Sequence, residues 1–194
     1  MSGKRKYPRA EAVAVAKELC DGLKQRCERL IVAGSLRRRK PEVGDVEILY
    51  VPKLEPVEVP SDDLLLPPKT ALVDQVDAYL DWLLEQGTIR PRENVRGATT
   101  WGAKNKLAVH AASGMPVDFF AATVETLVNY LVCRTGPAEL NMRICMAAQD
   151  QGWKWNPYGE GFTKIGSGQQ HAVKSEQEVF EFVGLRYLEP WHRG

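Results

Sequence analysis

The sequence contains few of the residues that build metal clusters or disulfide networks. Only 4 cysteines and 3 histidines occur among 194 residues, and no two cysteines have the CxxC spacing of a zinc site. They are scattered along the chain as Cys20, Cys27, Cys133, Cys145, His110, His171 and His192. Zinc is therefore a poor candidate, and we interpret the cysteines as buried free thiols of a protein in the cytoplasm or another reducing intracellular compartment.

The chain also lacks long apolar runs and a strong excess of either charge. No segment reaches the roughly 18 consecutive apolar residues of a membrane helix, and no apolar run of a signal peptide follows the basic start. A content of 44% hydrophobic and 26% charged residues is typical of a soluble globular protein. The net charge of +1 does not by itself indicate a nucleic-acid partner, but basic residues concentrate in Lys4–Lys6, in Arg37–Lys40, and at Lys104 with Lys106.

Apolar periodicity predicts two helices on either side of a proline-rich segment. Spacings of three and four indicate an amphipathic helix over Arg9–Leu30 and another over Leu72–Leu83, which ends at Gly87. Between them, residues 52–68 contain 5 prolines and 4 acidic residues. This composition predicts a surface loop, because proline removes a backbone donor and interrupts helices and central strands.

The second half of the chain alternates strand and helix signals. Lys104–Ala111 and Met115–Ala121 have the pattern of a β-hairpin. Thr135-Gly136-Pro137 then precedes a helix that runs to about Gln151, and Ser175–Glu178 is a capping box before a last short helix. These signals predict a protein of the α+β class.

A glycine-serine turn stands before the Arg37–Lys40 patch. Gly34 and Ser35 follow a predicted strand over Leu30–Ala33 and open a short helix. Backbone N–H groups of such a turn can approach a phosphate, and the positive end of the helix dipole favours an anion there. We therefore interpret this turn as a candidate phosphate-binding element.

Two carboxylates alternate along the next predicted strand, Asp45–Val51. Because side chains on a strand alternate between faces, Asp45 and Glu47 point the same way. Such a pair repels itself unless a divalent cation lies between the carboxylates, and oxygen ligands favour Mg²⁺ or Mn²⁺ over zinc. An Asp-x-Glu alternation alone more often marks a solvated strand face. A third acid, Asp118, lies in the apolar run between Val117 and Phe119, and the combination favours a metal site over that reading.

Taken together, these motifs resemble the polymerase-beta-like nucleotidyltransferases, and within them the family X DNA polymerases. Those proteins combine a Gly-Ser turn, a paired acidic strand motif and a third acid on a neighbouring strand. The similarity continues through Thr135-Gly136, the helix carrying Asn141, and the closing run Gly184–Pro190. It implies a nucleotidyltransferase palm with a mixed or antiparallel sheet flanked by helices, over residues 1–122, and a small α+β thumb over residues 123–194.

The resemblance also assigns roles. It implies that Asp45, Glu47 and Asp118 hold two Mg²⁺ or Mn²⁺ ions, with Asp118 on the ion that activates the primer 3′ hydroxyl. Lys104 and Lys106 are implied to approach the DNA backbone. The residues implied to hold the nucleotide are Gly34, Ser35, Arg38, Gly44, Thr135, Gly136 and Asn141. The implied partners are deoxynucleoside triphosphates and a primer-template or gapped DNA duplex, bound by a monomer.

Several residues depart from the family pattern. The second acid is Glu47 where the family has aspartate, Cys133-Arg134 stands where many relatives have an aromatic pair, and Pro116 replaces an arginine two positions before the third acid. Only about thirty residues precede the first palm strand, so we expect the short, virus-type form without the lyase domain. That form extends the expected location to a virus- or phage-infected host cell.

The resulting hypothesis is a DNA polymerase that fills short gaps by two-metal nucleotidyl transfer. A template-independent nucleotidyltransferase acting on RNA, a small molecule or a protein would use the same three acids. A nucleic-acid-binding module without catalysis is a third class, and it would require a broken acidic triad. The thumb signature favours the polymerase.

Overall fold

The computed structural model describes residues 5–59, 69–94 and 96–194. Within them, the elements follow in chain order. The first half comprises β1 (Tyr7–Pro8), α1 (Arg9–Leu23), β2 (Cys27–Val32), α2 (Gly34–Arg37), β3 (Glu42–Val43), β4 (Val46–Pro52), β5 (Leu54–Val59), β6 (Lys69–Asp74) and α3 (Gln75–Glu85). The second half comprises β7 (Ile89–Pro91), β8 (Asn105–His110), β9 (Pro116–Ala121), α4 (Leu127–Thr135), α5 (Ala138–Asp150), β10 (Trp153–Trp155), β11 (Gly161–Lys164), β12 (Gln170–Ala172) and α6 (Glu176–Phe182).

A five-stranded mixed sheet organises the first part of the chain, in the order β2-β4-β9-β8-β7. β4 and β9 run parallel, and the other neighbours are antiparallel. One face packs on α1 and α3 through a core that includes Leu19, Ile48, Leu80 and Phe119. The expected α+β class and mixed sheet are confirmed.

The second part of the chain has its own core. Helices α4, α5 and α6 surround the small antiparallel sheet β10-β11-β12, with Ile144, Trp155, Phe162 and Phe180 buried among them. A third cluster includes Leu49 and Phe120 of the large sheet and Tyr130 of α4. The second part therefore packs on the sheet face opposite α1 and α3. This face also carries the acidic residues Glu47 and Asp118, which lie two positions before Leu49 and Phe120 on their strands. The boundary between residues 122 and 123 stays a prediction.

Three element predictions were wrong. The second helix begins at Gln75 and not at Leu72, because residues 72–74 belong to β6. α1 ends at Leu23 and not at Leu30, because residues from Cys27 onward pair with β4; the spacing of Cys27 and Leu30 suits either structure. The proline-rich segment is not a loop up to Val59, since β5 pairs with β6 as an exposed two-stranded ribbon that includes Pro56. The rest of the expected loop, residues 60–68, lies outside the described residues.

All four cysteines are free thiols, as expected, but only Cys27 is fully buried. No helix in the described part of the chain is long and apolar enough to cross a membrane.

Candidate active site

The three acids lie on one face of the large sheet. Glu47 and Asp118 are direct partners in the parallel pairing of β4 with β9, so their side chains share a face. Asp45 stands two residues before Glu47 and has the same orientation, whereas Val46 and Ile48 are buried in the opposite core. The structure therefore brings together Glu47 of β4, Asp45 just before this strand, and Asp118 of a strand about seventy residues later.

The carboxylate of Glu47 lies in an unusual environment. Burial raises its pKa to about 7, and the Asp45 and Asp118 carboxylates contribute to the same shift, while Arg134 and Arg38 oppose it. Nearby cations, or hydrogen bonds to its oxygens, stabilise such an acid in its ionised form.

Gly34 allows this packing. Its φ is +62°, and a Cβ added there would lie 2.1 Å from Oε2 of Glu47. The glycine-serine turn is therefore pressed against the acid strand, with Gly34 and Gly44 buried and Ser35 half-buried. The structure brings the phosphate-turn candidates and the acidic pair together.

Gly34→Ala should therefore displace Glu47. The left-handed backbone alone disfavours alanine by about 1–2 kcal/mol, and the clash with Glu47 adds to it. Gly87 is a matched control, because its φ is +69° and nothing lies within 4 Å of an added Cβ. We expect Gly87→Ala to show only the backbone effect on the free energy of unfolding in urea. Equal losses in the two variants would contradict the contact between Gly34 and Glu47.

Arg38 connects the acids to the end of α4. Its Nη1 donates to the Thr135 carbonyl, and its Nε is buried without a hydrogen-bond partner. Burial lowers the pKa of Arg38 from its ordinary value, and the carboxylates of Glu47, Glu139 and Asp45 oppose this change. Arg38 is thus a half-buried cation between the acidic face and the second part of the chain.

The Thr135-Gly136 segment lies at the same junction, although its threonine side chain is already engaged. Thr135 Oγ1 is buried and accepts a hydrogen bond of 2.7 Å from Arg37 Nη1. Gly136 lies against Arg38, since a Cβ there would approach Arg38 Nη1 to 3.3 Å. The backbone of this segment, more than the Thr135 hydroxyl, faces the site.

Asn141 is held in place by the backbone of α4. Its Nδ2 donates to the Cys133 carbonyl at 2.8 Å, and its Oδ1 is buried without a hydrogen-bond partner. Such an acceptor is available to a bound ligand. The nucleotide contact that the resemblance implies for Asn141 stays a prediction.

The two lysines assigned to DNA have different positions. Lys104 is exposed just before β8, as a DNA contact requires. Lys106 is only 3% exposed and donates to Asp77 Oδ1 at 2.6 Å, on the opposite face of the sheet. Alternation along β8 turns Lys106 toward α3, so the assignment of Lys106 to DNA was wrong.

Sequence reasoning missed two arginines on the acidic face. Arg134 lies with its guanidinium carbon 3.7 Å from the ring centre of Phe120 and bonds the Tyr158 hydroxyl at 3.1 Å. Arg92 Nη2 lies 2.5 Å from Oδ1 of Asp118. Neither contact could be read from sequence spacing, because each joins residues that only the folded sheet brings together.

The donor set fits a hard divalent cation in its chemistry. All three side chains supply carboxylate oxygens on one face of the sheet, which are the ligands that Mg²⁺ and Mn²⁺ prefer. As arranged, however, no group of three acidic, histidine or cysteine side chains within the described ranges is poised to hold an ion. Metal binding would therefore require side-chain movement, most evidently of Asp118, whose carboxylate is paired with Arg92.

The fold is thus a mixed sheet with three acids on one face, followed by a smaller unit of helices and a three-stranded sheet. Residues 130–194 match the family model described as DNA polymerase beta thumb. No curated protein matches the chain.

Solved structures of polymerase beta from Leishmania infantum are similar throughout. One, described as a ternary P/T complex, is 20% identical with a TM-score of 0.70, and the match covers 98% of this chain and 77% of that one. The other, described as a ternary gap complex, is 18% identical with a TM-score of 0.72, and the match covers 97% of this chain and 71% of that one. The chain therefore has a polymerase-beta-like fold with a polymerase-beta thumb, and the resemblance to family X DNA polymerases is confirmed.

Proposed function

We propose that the chain is a DNA-directed DNA polymerase that adds deoxynucleotides to a primer 3′ hydroxyl and fills short gaps. The observation that carries the proposal is the register of β4 with β9, which sets Asp118 directly beside Glu47 on the face that carries Asp45. The likeness to polymerase beta in ternary P/T and gap complexes supports DNA as the partner.

In this proposal, Asp45, Glu47 and Asp118 hold two Mg²⁺ or Mn²⁺ ions. When bound, such ions lower the pKa of an attacking hydroxyl and neutralise charge on a triphosphate. The partly buried position of Glu47 strengthens charge interactions on this face.

The protein's own cations complete the site. Arg38 and Arg134 lie close enough to Glu47 to oppose the rise of its pKa. A guanidinium offers fixed planar donors that match phosphate oxygens. We therefore assign Arg38 to the triphosphate, beside the backbone of Gly34 and Ser35. Asn141 presents its free Oδ1 to the bound nucleotide.

Primer extension on a gapped duplex tests the function. The protein is given Mg²⁺ and each deoxynucleoside triphosphate in turn. Incorporation that matches the template base supports the proposal. Unmatched tailing would point to a template-independent nucleotidyltransferase, and the absence of any product would overturn the assignment of a polymerase.

Arg38→Ala should raise the KM for nucleotide by about tenfold, while the Kd for DNA changes little, because it removes a charge-assisted phosphate contact. Steady-state kinetics and a DNA-binding titration measure the two quantities. Arg39→Ala is the control, because Arg39 is exposed and packs over Trp191 with its guanidinium carbon 4.2 Å from the ring centre. Equal losses of nucleotide and DNA affinity in Arg38→Ala would contradict its triphosphate role.

A further inference from the structure

Arg92 belongs to the same row of residues as two of the acids. Leu107 pairs with Asp118, and Asp118 pairs with Glu47. At the edge of the sheet, the Arg92 backbone N–H donates to the Leu107 carbonyl at 3.0 Å, which extends the pairing of β7 with β8 by one residue. The row therefore crosses four strands, and Arg92 reaches Asp118 over Leu107.

The contact at the end of this reach is close and partly buried. Arg92 Nη2 lies 2.5 Å from Asp118 Oδ1, and the two side chains are 23% and 12% exposed. Arg92 Nε is buried without a hydrogen-bond partner, and Nη2 of the same guanidinium makes the contact with Asp118. An ion pair so shielded from water is stronger than an exposed one.

We propose that Arg92 is the internal counter-cation of Asp118 in the metal-free protein, and that a divalent cation competes with it for this carboxylate and displaces it. The proposal rests on the assignment of Asp118 as a metal ligand. The carboxylate has lone pairs for both a guanidinium donor and a metal ion, so Arg92 does not block coordination by occupying it. Its positive charge instead repels a divalent cation at the same carboxylate and weakens metal binding.

The charges around the site explain why such a counter-cation is needed. Three acids on one face of the sheet repel each other when no cation is bound. Pro116, two residues before Asp118 on the same strand, has no charge to offer. Arg92 supplies that charge from another strand. Metal binding then exchanges one cation for another, at the cost of part of the metal affinity.

Arg92→Gln tests the exchange without relying on activity. Mn²⁺ alone is titrated into the full chain, and free Mn²⁺ is followed by its electron paramagnetic resonance signal. We expect Arg92→Gln to bind Mn²⁺ about tenfold more tightly than the parent protein, because the competing cation is gone. Arg90→Gln is the charge-matched control, since Arg90 is an exposed residue of the same strand and should leave the affinity nearly unchanged.

Thermal unfolding provides a second readout. In EDTA, Arg92→Gln should melt below the parent because the acids lose their counter-cation, and saturating Mn²⁺ should raise its Tm by more than it raises that of the parent. Equal Mn²⁺ affinities and equal Tm shifts in the two proteins would overturn the exchange while leaving the metal site intact. If neither protein binds Mn²⁺, the metal assignment fails as well, whereas primer extension by the parent tests the polymerase function separately.

Discussion

Asp118→Asn should lower kcat for nucleotide addition by at least about a thousandfold, which corresponds to about 4 kcal/mol in the barrier. Asparagine keeps the size of the side chain but removes the negative charge that a divalent cation requires. Asp118 pairs with Glu47 across β4 and β9 and is buried. β9 contains no other acid that could replace it. Single-turnover primer extension with Mg²⁺ measures the loss.

The fold should survive this change, because the amide fits the same space. Asp150→Asn is the control, since Asp150 is an exposed residue at the end of α5 and should extend primers at the parent rate. Circular dichroism and DNA binding of both variants should match the parent. A turnover of Asp118→Asn within tenfold of the parent would remove Asp118 from the catalytic assignment.

Glu176→Gln should destabilise the protein by about 3–5 kcal/mol. The Glu176 carboxylate accepts a hydrogen bond of 3.0 Å from Arg37 of α2 and lies 2.7 Å from Nη1 of Arg193 near the C-terminus. Glu176 is 12% exposed and the Arg193 side chain is 0% exposed. Neutralising Glu176 leaves Arg37 and Arg193 without their shared counter-charge. These side chains meet where α2 contacts the second part of the chain. Urea unfolding measures the change.

The same carboxylate makes part of the stability depend on pH. Burial alone would raise the pKa of Glu176, but hydrogen bonding and charge from Arg37, with the charge of Arg193, hold it below its ordinary value. An acid with a lowered pKa in the folded state stabilises the protein above its unfolded pKa of about 4.3. That contribution is lost as the pH falls through the lower, folded value.

Glu176→Gln should therefore flatten the stability profile below about pH 4.3. Glu181→Gln, an exposed change on the same helix, is the control and should keep the parent profile. An unfolding free energy for Glu176→Gln within 1 kcal/mol of the parent, roughly the range of surface substitutions, would contradict a structural role for this cluster.

Local patterns predicted the acidic face well. Alternation along β4 was sufficient to place Asp45 and Glu47 together, because the side-chain period of a strand is fixed. That Asp118 joins them depends on a pairing between distant segments, which the sequence alone does not specify. The resemblance to a family with a third acid supplied this part of the prediction, and the register of β9 with β4 places the residue accordingly.

Other features, which are long-range contacts and the end of a helix, could not be predicted without the folded structure. Lys106 was assigned to DNA by the family resemblance, although it shares its strand face with the buried Ala108 and His110, which was a signal that it faces the core. The contact between Arg92 and Asp118 passes over the intervening strand β8. No local sequence pattern indicates a contact between residues of strands that are not neighbours. The end of α1 was misplaced because the tertiary pairing of Cys27–Val32 outweighed helical spacing.

A crystal structure with a gapped duplex, a nonhydrolysable deoxynucleotide and Mn²⁺ tests the central claim most directly. Anomalous scattering from Mn²⁺ locates the ions independently of the protein density. We predict peaks at about 2.1 Å from carboxylate oxygens of Asp45, Glu47 and Asp118, with Arg92 moved away from Asp118. Peaks confined to other residues, or an Asp118 still paired with Arg92 beside a bound nucleotide, would contradict the account.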